Sequence, residues 1–97
     1  MYYRITKVSH EAGKRQEIIN ILKAKEEIIN SFEGLNFVKM IAVSETVTMA
    51  ISEYGSEAQL KAVEGRFKEV MVDMMPLMKG APEVFHGDSF WEVVPNS

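Results

Sequence analysis

The 97-residue chain contains no cysteine. That absence removes disulfide staples, thiolate nucleophiles and cysteine-built zinc or iron–sulfur sites together. Only two histidines are present, far apart and without HxxxH or HExxH spacing, so no metal site is expected. The three prolines and six glycines are scattered, which leaves no low-complexity linker, and no repeat recurs at solenoid spacing. No apolar run approaches the roughly 20 residues that a membrane helix needs. The segment from Met1 to Thr6 lacks the apolar core and small-residue cleavage site of a signal peptide, so a cytoplasmic protein is expected. Positive charge is also not in excess. Eleven Lys and Arg face 14 Asp and Glu, for a net charge of -3, which argues against a nucleic-acid partner held through its phosphates.

What is present is an ordinary globular balance: 46% hydrophobic and 26% charged residues, enough for one compact domain over residues 1–97. A chain this short buries only about two-thirds of its unfolded surface, so a partner surface matters to its stability.

Periodicity divides the chain into six elements. Tyr2 to Val8 is rich in β-branched and aromatic residues and reads as a strand. Ser9 offers an N-cap for a helix from about Glu11 to Phe32, with Ile18, Leu22, Ile29 and Phe32 on one stripe and Gly34 as the stop. Two short β runs, Phe37 to Val43 and Val47 to Ser52, flank the polar Ser44-Glu45-Thr46 and predict a hairpin. Ser56 and Gln59 then form a capping box. The helix that follows carries Leu60, Val63, Phe67, Val70, Met74 and Leu77 at alternating steps of three and four, with Pro76 kinking or breaking it. A final strand is expected over Ser89 to Val94, where Phe90, Trp91, Val93 and Val94 cluster.

This order, β-α-β-β-α-β, predicts an α+β, ferredoxin-like fold with two helices on one face of a four-stranded antiparallel sheet. In the run Phe37 to Val43, Phe37, Ile41 and Val43 share one face while Val38, Met40 and Ala42 share the other. Both faces are therefore apolar, and the chain has no third layer to cover the second. A second copy packed sheet to sheet about a two-fold axis is the economical answer, so a homodimer through the open face is expected.

The stretch Ile51-Ser52-Glu53-Tyr54-Gly55-Ser56-Glu57-Ala58-Gln59-Leu60, with Arg66-Phe67-Lys68 and the terminal Phe90-Trp91-Glu92-Val93, resembles the dimeric α/β-barrel superfamily, in particular the antibiotic biosynthesis monooxygenase-like proteins. Tyr54, Ser56, Ala58, Phe67 and Lys68 carry the resemblance. It implies a homodimeric barrel with a small-molecule pocket between sheet and helices in each subunit. It also implies either a cofactor-independent oxidation of an aromatic or quinone-like compound, or a ligand-binding or stress-associated dimer without chemistry. Lys61 and Arg66 stand near positions where relatives frequently carry His, and the second helix has no His to ligate haem. No cofactor is expected.

Among residues that could carry chemistry, His86 within Phe85-His86-Gly87-Asp88 is the candidate base, because imidazole titrates near neutrality and Asp88 could orient it. The commoner role for a lone His-x-Asp is an exposed turn, and both readings stand. Tyr54 and Trp91 offer stacking faces with hydrogen-bonding tips, Arg66 a clamp for an anion, and Met74 a polarizable wall, although each also serves as ordinary packing or surface. Met71, Met75 and Met78 lie beside the core stripe and suit a lid or a subunit contact. His10, after the expected N-cap, reads as a surface residue at a helix end.

Overall fold

The structure, a computed structural model, describes residues 1–96. Strand β1 (Tyr2–Ser9) is followed by helices α1 (Arg15–Ala24) and α2 (Glu26–Asn30), and then by the hairpin strands β2 (Leu35–Ser44) and β3 (Val47–Tyr54). Helices α3 (Glu57–Ala62) and α4 (Glu64–Val72), a 3-10 turn over Met75–Leu77 and strand β4 (Glu83–Asp88) complete the chain. The four strands pair antiparallel in the order β2-β3-β1-β4. This is the ferredoxin-like α+β arrangement, and it makes β1 a central strand. No helix is long and apolar enough to cross a membrane.

The helical stripes lie where their spacing puts them. Ile18, Phe32, Leu60, Val63, Val70 and Met74 are buried, and Leu22, Ile28, Ile29 and Phe67 pack against that core. Each expected helix is, however, interrupted once. At Lys25 and at Val63 the backbone N–H bonds the carbonyl three residues back, to Leu22 and Leu60, before the normal ladder resumes at Ile29 and Phe67. A single 3-10 step of this kind tightens one turn and shifts the phase of the apolar stripe, which bends the helix over the sheet. Pro76, with no N–H to donate, sits inside the short 3-10 turn after α4 has ended. The Ser56 cap forms as expected, its hydroxyl accepting from the Gln59 N–H at 3.2 Å. Gly34 has a φ of +85°, and a Cβ there would meet the Gln59 side chain, so the glycine after α2 serves both backbone and packing.

Three expectations need correction. The first helix begins at Arg15 rather than at Glu11, because β1 runs on to Ser9 and His10 continues it, its N–H bonding Thr46 O at 2.9 Å and its backbone bridging to Met78. His10 is fully buried rather than at the surface. Its Nδ1 donates to Glu11 O at 2.9 Å and its Nε2 is hydrogen-bonded to Thr48 Oγ1 at 2.8 Å, so both ring nitrogens are partnered. The last strand spans Glu83–Asp88, not Ser89 to Val94. The register pairs Tyr2 with Asp88, and Ser89, whose N–H bonds Met1 O, is the last residue tied to that edge of β1. Phe90, Trp91, Val93 and Val94 consequently leave the sheet as an exposed extended segment.

The helix-facing side of the sheet is unusually polar for a buried face. Under the helices Arg4, Thr6, His10, Thr48 and Ser52 are buried among the apolar Val8, Ala50 and Tyr54. The open face carries Phe85, Ile5 and Ile51 in one cross-strand row, with Met49 and Ile41 paired in the next. Polar groups cluster at one end of that open face. Tyr3 Oη donates to Glu53 at 2.5 Å, and Asn36 Nδ2 donates to the other Glu53 oxygen at 2.9 Å. The bond to Glu53 and its negative charge push the Tyr3 phenol up from 10.0 to about 12, and the two donated bonds lower Glu53. A Tyr whose folded pKa is raised holds its proton longer when folded, so its stabilisation is complete below the ordinary tyrosine pKa and is lost as pH rises through about 12. The lowered Glu53 works the other way, its contribution being present above 4.5 and lost as pH falls further. A spectrophotometric alkaline titration should show one phenol ionising late, and Tyr3→Phe should remove that late component. A titration of Tyr3→Phe that still contains it would refute the assignment.

Candidate functional site

The sheet topology places one polar row beneath the helices. Arg4 on β1 pairs across the sheet with Ser52 on β3 and His86 on β4, so these three side chains share the helix-facing side. Tyr54 ends β3 two residues beyond Ser52, on the same face, and is buried. Helix α4 lays Phe67, Met71 and, just beyond its end, Met74 over this row.

Arg4 is the centre of the arrangement, at 2% exposure. Its guanidinium stacks on the Phe67 ring, 3.7 Å from the centroid, and lies 5.5 Å from that of Tyr54. Nη1 donates to Tyr54 Oη at 3.0 Å. Nη2 is buried with no protein partner, and none of the ion pairs among the described residues includes Arg4. A guanidinium stays charged at any ordinary pH, and burying an ion without its counter-charge carries a large desolvation penalty. Such an unsatisfied group calls for an explanation.

Two cavities adjoin it. The inner one, about 60 Å³, lies between sheet and helices and is lined by Ser52, Tyr54, Phe32, Met74 and others. The outer one, about 410 Å³, opens between α4 and β4 and is lined by Glu64, Lys68, Met75, Pro82, Val84 and His86. Arg4, Phe67 and Met71 belong to both and form the wall between them. The outer cavity falls within the size range of small-molecule sites, which are typically apolar with a few convergent polar groups.

The five residues singled out from the sequence fare differently. His86 lines the outer cavity, while Tyr54 and Met74 line the inner one. Arg66 points away, over Phe32 at 5.6 Å and toward a separate surface depression with Ala58 and Gln59. Trp91 is 75% exposed on the segment after β4 and lines neither cavity. Asp88 does not orient His86, because it pairs with the N-terminal amine at 3.5 Å. The carboxylate facing His86 is Glu64, at 3.9 Å, too far for a direct hydrogen bond. Met71 and Met75, outside the core stripe, turn out to be cavity walls. Arg4 is the residue the sequence reading missed. The signal was available in the element order, since a ferredoxin-like chain puts its first strand in the middle of the sheet, where an arginine under the helices cannot reach water.

No protein-family profile matches the sequence, and no curated protein matches it. Solved structures do. A monooxygenase from Streptomyces coelicolor, crystallised in complex with the ligand nanaomycin D, superposes with a TM-score of 0.84 at 13% identity, covering 98% of this chain and 92% of that one. The fold is that of the antibiotic biosynthesis monooxygenase-like proteins. A putative antibiotic biosynthesis monooxygenase from Caulobacter crescentus gives a TM-score of 0.76 at 21% identity, with 93% and 90% covered. A protein of unknown function from Nitrosomonas europaea gives 0.77 at 11%, with 99% and 95% covered. Likeness at these identities establishes architecture and leaves the chemistry to the residues described above.

Proposed function

We propose that the chain acts as a cytoplasmic, homodimeric α/β-barrel protein, a single domain over residues 1–97, that binds an aromatic or quinone-like molecule in the cavities between sheet and helices and oxidises it without a cofactor. The observation that carries this reading is the pair of cavities sharing Arg4, Phe67 and Met71, largely apolar on the helix side of the inner one and polar on the sheet side at Arg4, Thr6, Ser52, Tyr54 and His86. The similar Streptomyces coelicolor monooxygenase, crystallised with the ligand nanaomycin D, supports a small-molecule occupant. In such a reaction a ring methylene and one molecule of oxygen give a carbonyl and one molecule of water, so the substrate supplies the electrons. The protein then contributes a dry site, orientation and a base, and His86 takes that last role by removing a substrate proton. The uncovered apolar row Phe85, Ile5 and Ile51, continued by Met49 and Ile41, supports a second copy packed on the open face.

A rival reading keeps the dimer and the pocket without chemistry. It draws on His86 having no hydrogen-bonded partner to orient it. Anthrone is a suitable probe for both. Oxygen uptake above the uncatalysed rate, saturating with anthrone and falling about 100-fold in His86→Ala, is the expected result. Binding of anthrone by thermal shift with no uptake above the blank would favour the carrier reading and exclude the enzyme.

A further inference from the structure

We infer that Arg4 is the specificity-determining anchor of the site, and that the ligand it selects is an aromatic carrying an ionised oxygen, a phenolate, enolate or carboxylate, which completes the coordination that the protein leaves open at Nη2. This deepens the pocket reading above and rests on it. Every other buried side-chain nitrogen or oxygen among the described residues finds a partner, and the one exception belongs to a permanent cation. The protein supplies that cation with a neutral phenol on Nη1 and two aromatic faces, but with no carboxylate. A neutral carbonyl would satisfy one N–H, whereas an anionic oxygen also neutralises the charge, and at a guanidinium as buried as that of Arg4 the second term dominates.

The remaining charged groups around the outer cavity define where the anion sits. Glu64 and His86 face each other at 3.9 Å, so the carboxylate opposes an anion at that end. Lys68 lines the outer rim. Only at Arg4 does a cation meet both cavities with its charge unanswered. The ligand's flat body then lies against Phe67 and Met71, with its oxygen turned toward the sheet.

Alizarin (1,2-dihydroxyanthraquinone) tests this directly, because its phenol changes colour on ionisation and unsubstituted anthraquinone is its neutral counterpart. With wild-type protein the bound dye should ionise at a pH about one unit below the free dye, a roughly tenfold preference for the phenolate, as expected for an opposite charge within a few ångströms. Arg4→Met should abolish the shift while still binding anthraquinone, Arg4→Lys should retain part of it, and Lys68→Met should leave it intact. Anthracene-9-carboxylate bound more tightly than alizarin would assign the anion to a carboxylic acid. An unchanged dye pKa in wild type, with anthraquinone bound equally well, would overturn the role of Arg4 and leave the pocket reading standing. If none of the three aromatics binds, the pocket reading falls and takes this inference with it. Should Arg4→Met fail to fold, the wild-type dye shift measured against anthraquinone binding still decides the question.

Discussion

If the proposed sheet-to-sheet dimer forms, aspartate in place of Ile5 is expected to leave a folded chain that sediments as a monomer at micromolar concentrations where the wild type pairs. Ile5 lies at the middle of the open face, flanked on neighbouring strands by Phe85 and Ile51. A two-fold axis repeats every substitution, so one mutation places two carboxylates in the same apolar interface. A cost of about 4 kcal/mol for desolvating the pair weakens association by about a thousandfold. The fold itself should survive, since the side chain faces away from the core made by Phe32, Tyr54, Leu60, Val63 and Val70. Analytical ultracentrifugation with far-UV circular dichroism reads both parts. A wild type that is monomeric at micromolar concentration, or a variant that remains dimeric, would remove the sheet-to-sheet interface from consideration.

Phe67→Ala should be the most damaging single change to the site and among the most damaging to stability. The ring covers the Arg4 guanidinium, packs on the core cluster and forms part of the wall between the two cavities. Truncation removes buried apolar area, leaves a void and withdraws the cation–π contact, for a loss of about 3 kcal/mol. In a domain of this size that lowers Tm by on the order of 15 °C. Phe67→Leu retains most of the volume without the aromatic face and should cost about 1 kcal/mol. Urea denaturation of the pair separates packing from stacking. Equal losses for Leu and Ala would mean that the ring, not the volume, carries the effect, and a loss below about 0.5 kcal/mol for Ala would show that Phe67 is not part of the folded core.

The helices and the element order were legible in the sequence because their signals are local. Leu60, Val63, Phe67, Val70 and Met74 repeat at helical spacing, and Ser56 with Gln59 announces the helix start. The position of the last strand was not legible, since Phe90 to Val94 has a stronger β composition than Glu83 to Asp88. Pairing with β1, a non-local property, decides it. The facing of the strands was hidden for a similar reason. Hydropathy sends Ile5 inward and Arg4 outward, yet the crossover helices settle on the side of Arg4, Thr6 and Ser52. His10 was misjudged along with them. Of the residues that line the two cavities, His86, Tyr54 and Met74 stand out in the sequence because their chemistry is conspicuous in any context, whereas Arg4 becomes conspicuous only once β1 is known to be central.

The polar row beneath the helices also bears on how the chain reaches its native state. Sliding β1 by one residue would exchange its two faces, bringing Ile5 beneath the helices and sending Arg4 to solvent. The exchange trades one mixed set for another, since Tyr3, Ile5 and Lys7 would go beneath the helices while Tyr2 and Val8 came out with Arg4. Hydrophobic collapse by itself therefore does not sharply select the native facing over its alternative. Directional bonds discriminate between them: His10 to Thr48, Arg4 to Tyr54, and Arg15 to the Ser44 and Val47 carbonyls at the hairpin. Register in this small sheet is thus written in hydrogen-bond complementarity rather than in oil and water.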